Sequence, residues 1–158
     1  MPEAWRILKE KHAATAFTGE DAAKTGGRWN SRGVAVVYTS STKSLATLES
    51  LVHLNPPVLF KYVAMDVEFD DALVEIFPVK NLPVDWRTEP PPPSTKAIGD
   101  TWVREARSAV LALPSVITGE INYLLNPAYP DFKKLSIGKP EPFDFDPRLL
   151  TAKYSPKV

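Results

Sequence analysis

Hydrophobic and polar positions alternate most regularly between Leu59 and Phe69, where Val63, Met65, Val67 and Phe69 face one way and Tyr62, Ala64, Asp66 and Glu68 the other. That period of two predicts a half-buried strand. Asp70-Asp71 then turns the chain into a further short strand, Leu73 to Phe77. Upstream, Trp5 to Leu8 reads as a first strand, and Lys11 to Lys24 as a helical or irregular approach to the glycine pair Gly26-Gly27. The apolar run Val34 to Val37 follows the turn Asn30-Ser31-Arg32-Gly33 and ends at Tyr38, as a buried strand would. Downstream, Val110 to Leu113, Val116 to Ile117 and Tyr123 to Leu125 predict short strands, with Asn126-Pro127 ending the last. Lys133 to Ile137 adds a candidate strand, and the proline-interrupted tail from Gly138 is expected to pack loosely over the surface.

Two segments carry helical spacing instead. A serine and threonine cluster, Ser40 to Thr42, is suited to capping a helix whose apolar stripe is Leu45, Leu48, Leu51 and Val52, closed by Asn55-Pro56-Pro57. With Leu45 at zero and 100° per residue, Leu48, Leu51 and Val52 fall at about 300°, 240° and 340°, and Glu49 at about 40°. The Glu49 carboxylate is therefore expected to border the buried face. The second helix is predicted from Thr95 to Ser108, with Ile98, Trp102 and Ala106 at spacing four. Between the two, Pro78 to Ser94 includes four consecutive prolines, Pro90 to Pro93, and reads as a stiff loop inside one domain. Strands separated by only two convincing helices predict an α+β fold on a mixed or antiparallel sheet.

Composition narrows the chemistry. At 158 residues the chain suits a single domain spanning residues 1–158, large enough to bury roughly 70% of its unfolded surface. Lysine plus arginine equals aspartate plus glutamate at 19 each, so no broad basic field is available and nucleic acid is not expected as a partner. The absence of cysteine excludes disulfides, thiolate catalysis and thiolate-bound metals, and agrees with a reducing cytoplasm. No segment approaches the ~20 apolar residues of a membrane span, and the amino terminus lacks a signal-peptide-like run, so a soluble, unexported protein is expected. There is no GxGxxG turn after the first strand and no GxxxxGK[ST], so a dinucleotide would have to be held by another geometry. His12 and His53 are too few and too dispersed for a metal site, and no metal is expected; His53, beside the apolar stripe, reads as a partly buried helix residue.

The most informative stretch runs from Gly26 to His53 and places an arginine, a tyrosine and a glutamate on successive elements. Arg28 admits two readings: a structural arginine paired with an acid, or a clamp whose planar fork grips pyrophosphate beside glycines that let a ligand come close. Tyr38 is either a packed strand residue or a ring and hydroxyl facing a ligand. Glu49 either pairs with a core arginine or acts on substrate. Arg32 reads as a solvated turn residue, Asn122 and Asn126 as turn residues with a lesser claim to a cleft, and Trp29 as core that could also wall a pocket. Ser115 sits in a Pro-Ser turn, and no histidine can be placed beside it to support a serine-hydrolase reading.

The ordered blocks Trp5-Arg6-Ile7, GGRWNSRG, VVYTSS, LESLVHL, Pro114-Ser115 and NYLLNP at Asn122 to Pro127 closely resemble the RES domain family. Each block alone is weak; their order is specific, and they reach from the first strand to about Pro127. The resemblance lays the family's arginine, glutamate and serine on Arg28, Glu49 and Ser115, and its opening motif brings Arg6 to the site. It implies an ADP-ribosyltransferase-like fold, a split sheet with a cleft. It also implies a toxin that consumes NAD as substrate, without a further cofactor, and is neutralised by a separate Xre-type antitoxin. On that reading Arg28 holds phosphate, Tyr38 contacts the nicotinamide end and Glu49 stabilises the ribosyl cation. Ser115, Arg6, Trp29 and Asn122 are further ligand-contact candidates, and Ser115 is expected to position Glu49 or the ligand. Water or phosphate would capture the sugar. The alternatives are transfer of ADP-ribose to a protein side chain and an inert interaction module that keeps only the fold.

Overall fold

The computed structural model describes residues 1–54 and 58–151, so the Asn55-Pro56-Pro57 stop and the last seven residues of the tail lie outside the described residues. The strands are β1 (Glu3–Lys9), β2 (Val37–Ser40), β3 (Tyr62–Glu68), β4 (Val74–Ile76), β5 (Val110–Pro114), β6 (Ile121–Leu125), β7 (Ser136–Ile137) and β8 (Glu141–Phe143). The α-helices are α1 (Glu20–Thr25), α2 (Lys43–Leu51), α3 (Pro93–Arg104) and α4 (Pro147–Leu150). One sheet runs in the order β4-β5-β6-β2-β1-β3-β7, with β8 also on β3. Among the described residues only β4 and β5 pair in parallel, and the other pairs are antiparallel. The expected α+β class with a mixed sheet and few helices is what the chain forms. No helix among the described residues is long and apolar enough to cross a membrane.

The sheet is not uniform. β1 and β3 stay in register from Glu3↔Glu68 to Lys9↔Tyr62, but β1 meets β2 only at Trp5↔Ser40. Next to that pair the Arg6 side chain adds a further link to β2 by donating to the Tyr38 carbonyl at 3.2 Å. Strand alternation sends apolar residues to both faces and makes two cores. Val37, Val110 and Leu125 join Val63, Met65, Val67 and Phe69 in one. Leu111, Leu113 and Leu124 join Trp29, Val36 and Trp102 in the other, with Tyr38 packed against it.

Several boundaries differ from expectation for local reasons. The strand expected at Val34 to Val37 is β2, which starts at Val37 and carries Tyr38 in its interior, because Val34 is tied back to Ser31 through its N–H. α3 starts two residues earlier, since Pro93 is well placed in a first turn. It stops at Arg104, and Ala106 lies beyond the helix at a left-handed φ of 49°. Val116 and Ile117 form a turn, not a strand, because the Ser115 hydroxyl accepts the Ile117 and Thr118 N–H groups and competes with strand pairing. Lys133 belongs to a 3-10 turn, Pro130–Lys134, ahead of the two-residue β7. The segment after Gly138, expected to lie loosely, sets β8 against β3 and buries Phe145. On α2 the buried positions are Leu45 and Ala46, whereas Leu48 and Val52 are exposed at 39% and 60%. His53, expected to be partly buried, is also exposed.

Candidate active site

α2 begins as the sequence predicts, with the Thr42 hydroxyl accepting the Leu45 N–H at 3.0 Å. Rooted by Leu45 and Ala46, the helix presents Glu49, half-buried, toward the sheet. Ser40 and Asn122 are register partners on β2 and β6 and share a face. The Ser40 hydroxyl donates to Asn122 Oδ1 at 2.8 Å, and Asn122 Nδ2 donates to Glu49 Oε2. Glu49 is thus fastened to the sheet by an amide from a strand more than seventy residues away in sequence.

Arg28 lies on the loop after α1. Its Nη1 donates to the Trp86 and Thr88 carbonyls, each at 2.9 Å, and its Nη2 meets the Glu89 carboxylate. The arginine side chain is 11% exposed and that of Glu89 71%. Burial lowers the Arg28 pKa, opposed by the nearby charge of Glu49 and by Tyr38. Arginine and glutamate, one on a loop and one on a helix, are therefore electrostatic neighbours.

The Arg28 loop is held from two sides. Tyr38 accepts the Trp29 N–H at 3.0 Å and donates to Asn30 Oδ1 at 2.5 Å. Burial chiefly pushes the Tyr38 hydroxyl pKa upward and keeps it neutral; the Trp29 N–H acts the other way. A side chain at Gly27 would put a Cβ 2.6 Å from that hydroxyl, so the close approach that glycine permits is used by Tyr38 itself. Asn30, fully buried, spends its Nδ2 on the Ala22, Ser31 and Val34 carbonyls. From behind, α3 supplies Lys96, whose Nζ donates to the Gly27 carbonyl at 2.7 Å, and Asp100, which accepts the Ser31 N–H and hydroxyl at 2.8 and 2.5 Å. Gly99 lies between them, where a Cβ would stand 1.8 Å from the Trp29 carbonyl oxygen.

The remaining candidates occupy distinct places. Trp29 is buried and stacks on Trp86, with ring centroids 6.5 Å apart. Arg6, bonded to the Tyr38 carbonyl, faces Asp21 at 3.5 Å; burial lowers its pKa against that carboxylate's pull, and its Nε is buried without a partner among the described residues. Ser115, 1% exposed, spends its hydroxyl on the β5–β6 turn, whose close also joins the Ser115 N–H to the Glu120 carbonyl at 2.7 Å. Asn126, also buried, braces the turn after β6 by accepting the Ala128 N–H. Sequence reading missed Ser40, Asn30, Lys96, Gly99, Asp100 and Glu89. Only the spacing of Lys96, Gly99 and Asp100, three and four apart on one helix face, carried a signal. Glu3, Asp66 and Glu68 place carboxylate oxygens within 4.8 Å of one another on β1 and β3, with no histidine among them.

A family model described as RES domain matches residues 3–146. The chain is 39% identical over 153 residues to a protein of Sphingobium sp. (strain YBL2) described as "Prs ADP-ribosylating toxin", covering 92% of this chain and 95% of the relative. It is 37% identical over 148 residues to "Toxin Res" of Yersinia enterocolitica serotype O:8 / biotype 1B, covering 92% and 97%. A chain in the crystal structure of the M.tuberculosis MbcT-MbcA toxin-antitoxin complex shares the fold, with a TM-score of 0.69 at 14% identity over 90% of this chain and 84% of that one.

Proposed function

The chain belongs to the RES domain family, and on that premise we propose that it is the toxin of a toxin–antitoxin pair, an enzyme that breaks the bond between nicotinamide and ribose in NAD. The observation that carries this reading is that Glu49, held through Oε2 by Asn122, keeps Oε1 unbonded among the described residues and lies within electrostatic reach of Arg28. The chemistry asks for little more. When the glycosidic bond breaks, its electron pair passes to the pyridinium nitrogen, and nicotinamide departs neutral without needing a proton. Positive charge is left on the ribose, and an oriented carboxylate stabilises that state more than it stabilises the ground state. Glu49 is the group for this role. Water or phosphate then takes the ribosyl carbon.

Arg28 is the group for the phosphate contact. Glu89 already sits on one arm of the guanidinium fork, a planar anion of the kind that fork accepts. Being mostly exposed, Glu89 can leave, and a pyrophosphate oxygen would take its place while the Trp86 and Thr88 carbonyls keep hold of the other arm. Tyr38 braces the Arg28 loop through its hydroxyl while its ring packs against the core of Trp29 and Trp102, so its contact with the nicotinamide end is limited to whatever ring edge the loop leaves uncovered. NAD is substrate here, and the reading requires no further cofactor. An Xre-type antitoxin is the expected protein partner and the cytoplasm the expected compartment.

A second reading, transfer of ADP-ribose to a protein side chain, is favoured by the description of the Sphingobium relative. Both readings share the first half of the chemistry. The test is purified protein with NAD, with and without phosphate, followed for nicotinamide and for the sugar product. Nicotinamide with free or phosphorylated ADP-ribose is the expected result. Nicotinamide release only when a protein acceptor is added would select transfer, and no release under any condition would overturn both.

A further inference from the structure

We propose that Asn122 is a positioning residue for Glu49 and that Ser40, not Ser115, is the serine that sets it. The inference rests on the reading of Glu49 as the acting carboxylate. An asparagine amide has one donor end and one acceptor end, so its direction is decided by its neighbours. An ionised Glu49 can only accept, which turns Nδ2 toward it; Oδ1 is then left facing Ser40, whose hydroxyl donates at 2.8 Å. A reversed amide would set its oxygen against the carboxylate. The three groups thus form a one-way chain from the Ser40 hydroxyl through the Asn122 amide to Glu49 Oε2. Ser40 is 4% exposed, so water does not readily replace it as the donor. Among the described residues Oε2 takes the only hydrogen bond made to this carboxylate, and Oε1 is left for the ribose.

Backbone register makes the arrangement possible. Ser40 and Asn122 are direct partners across β2 and β6, and Asn122 also faces Leu113 of β5. Ser115 contributes at one remove: its hydroxyl closes the turn that starts β6 and so fixes where Asn122 falls. Fixing a carboxylate's plane matters for a charge that must be in place when the cation forms, and less for ground-state binding.

The test compares Asn122→Ala, Ser40→Ala and Ser40→Thr with the parent in steady-state NAD consumption, after melting curves confirm folding. Asn122→Ala and Ser40→Ala should each lower kcat by about tenfold to a hundredfold, by analogy with groups that orient metal-binding side chains, with KM nearly constant. Ser40→Thr, which keeps the hydroxyl, should recover most of the loss. Parental kcat in Asn122→Ala, or a raised KM with kcat intact, would overturn the proposal, the latter by making Asn122 a ligand contact. If the parent consumes no NAD, the proposed function fails separately, and nitrogen-15 NMR still decides the relay. The Asn122 side-chain amide signal should shift in both Ser40→Ala and Glu49→Gln, and an unmoved signal would refute it.

Discussion

The arginine side and the glutamate side of the site are built in opposite ways. The Arg28 loop is over-determined: Tyr38, Asn30, Lys96 and Asp100 all bond to it, and Gly27 and Gly99 remove the atoms that would keep its neighbours away. Glu49 instead hangs from a short helix rooted by Leu45 and Ala46, with Leu48 and Val52 on the outside, and is tied to the sheet through one amide. The difference teaches that one site can join a loop held by many bonds to a carboxylate held by one. The loop keeps most of its buried hydrogen bonds if one is lost, whereas the Glu49 carboxylate depends on the single Asn122 amide.

The largest expected stability effect breaks the arginine side. Gly99→Ala drives a Cβ into the Trp29 carbonyl, backbone that cannot turn aside, and should cost about 3 kcal/mol, at the upper end of overpacking penalties. Urea denaturation would measure it, and parental stability would mean that α3 and the loop are not in contact as described. Tyr38→Phe strands the Trp29 N–H and Asn30 Oδ1, a loss of about 1 to 3 kcal/mol. It also carries a pH signature. Burial raises the Tyr38 pKa in the folded state above its ordinary 10.0, so the stabilisation is complete below that pH. It should be lost as pH rises toward the folded value, because the unfolded chain releases this proton first. Thermal melts across that range should fall less steeply in Tyr38→Phe; an identical slope would show that Tyr38 is not the buried group. Tyr123, also raised by burial, supplies a residual slope in both proteins.

A smaller effect probes the junction of the two sides. Glu89→Gln removes the anion that competes for the Arg28 fork and should tighten NAD binding several-fold in calorimetry; weaker binding would make Glu89 part of the binding surface instead. The smallest effect belongs to the glutamate side. Leu48→Ser, at an exposed helix position, should change stability by no more than about 0.5 kcal/mol. A loss comparable to that of Gly99→Ala would erase the contrast between the two regions.

What was legible in the sequence follows the same division. Local signals were sufficient for the Thr42 cap and for the alternation of Val63, Met65, Val67 and Phe69, but they set Glu49 at the border of a Leu45–Leu48–Val52 face, whereas the buried positions are Leu45 and Ala46 and Glu49 falls between them. They failed where a residue's role depends on a partner far along the chain. Asn30 reads as a turn asparagine because its neighbours in sequence are turn formers, yet it is a buried hub that receives the Tyr38 hydroxyl. Asn122 gives no sign of its distant partner, Glu49, until β2 and β6 are paired. Leu48 and Val52 fit a helical stripe by spacing, but only the seating of α2 on the sheet decides which part of that stripe is covered.

The central claim is that Glu49 acts on the bond being broken and not on the binding of NAD. Its most direct test is Glu49→Gln in purified protein, with nicotinamide release and equilibrium NAD affinity measured on the same preparation. Release should fall by about a hundredfold to a thousandfold, the scale seen when one electrostatic group is removed from a transition state, while affinity stays close to that of the parent. Release at the parental rate in a folded variant would contradict the account.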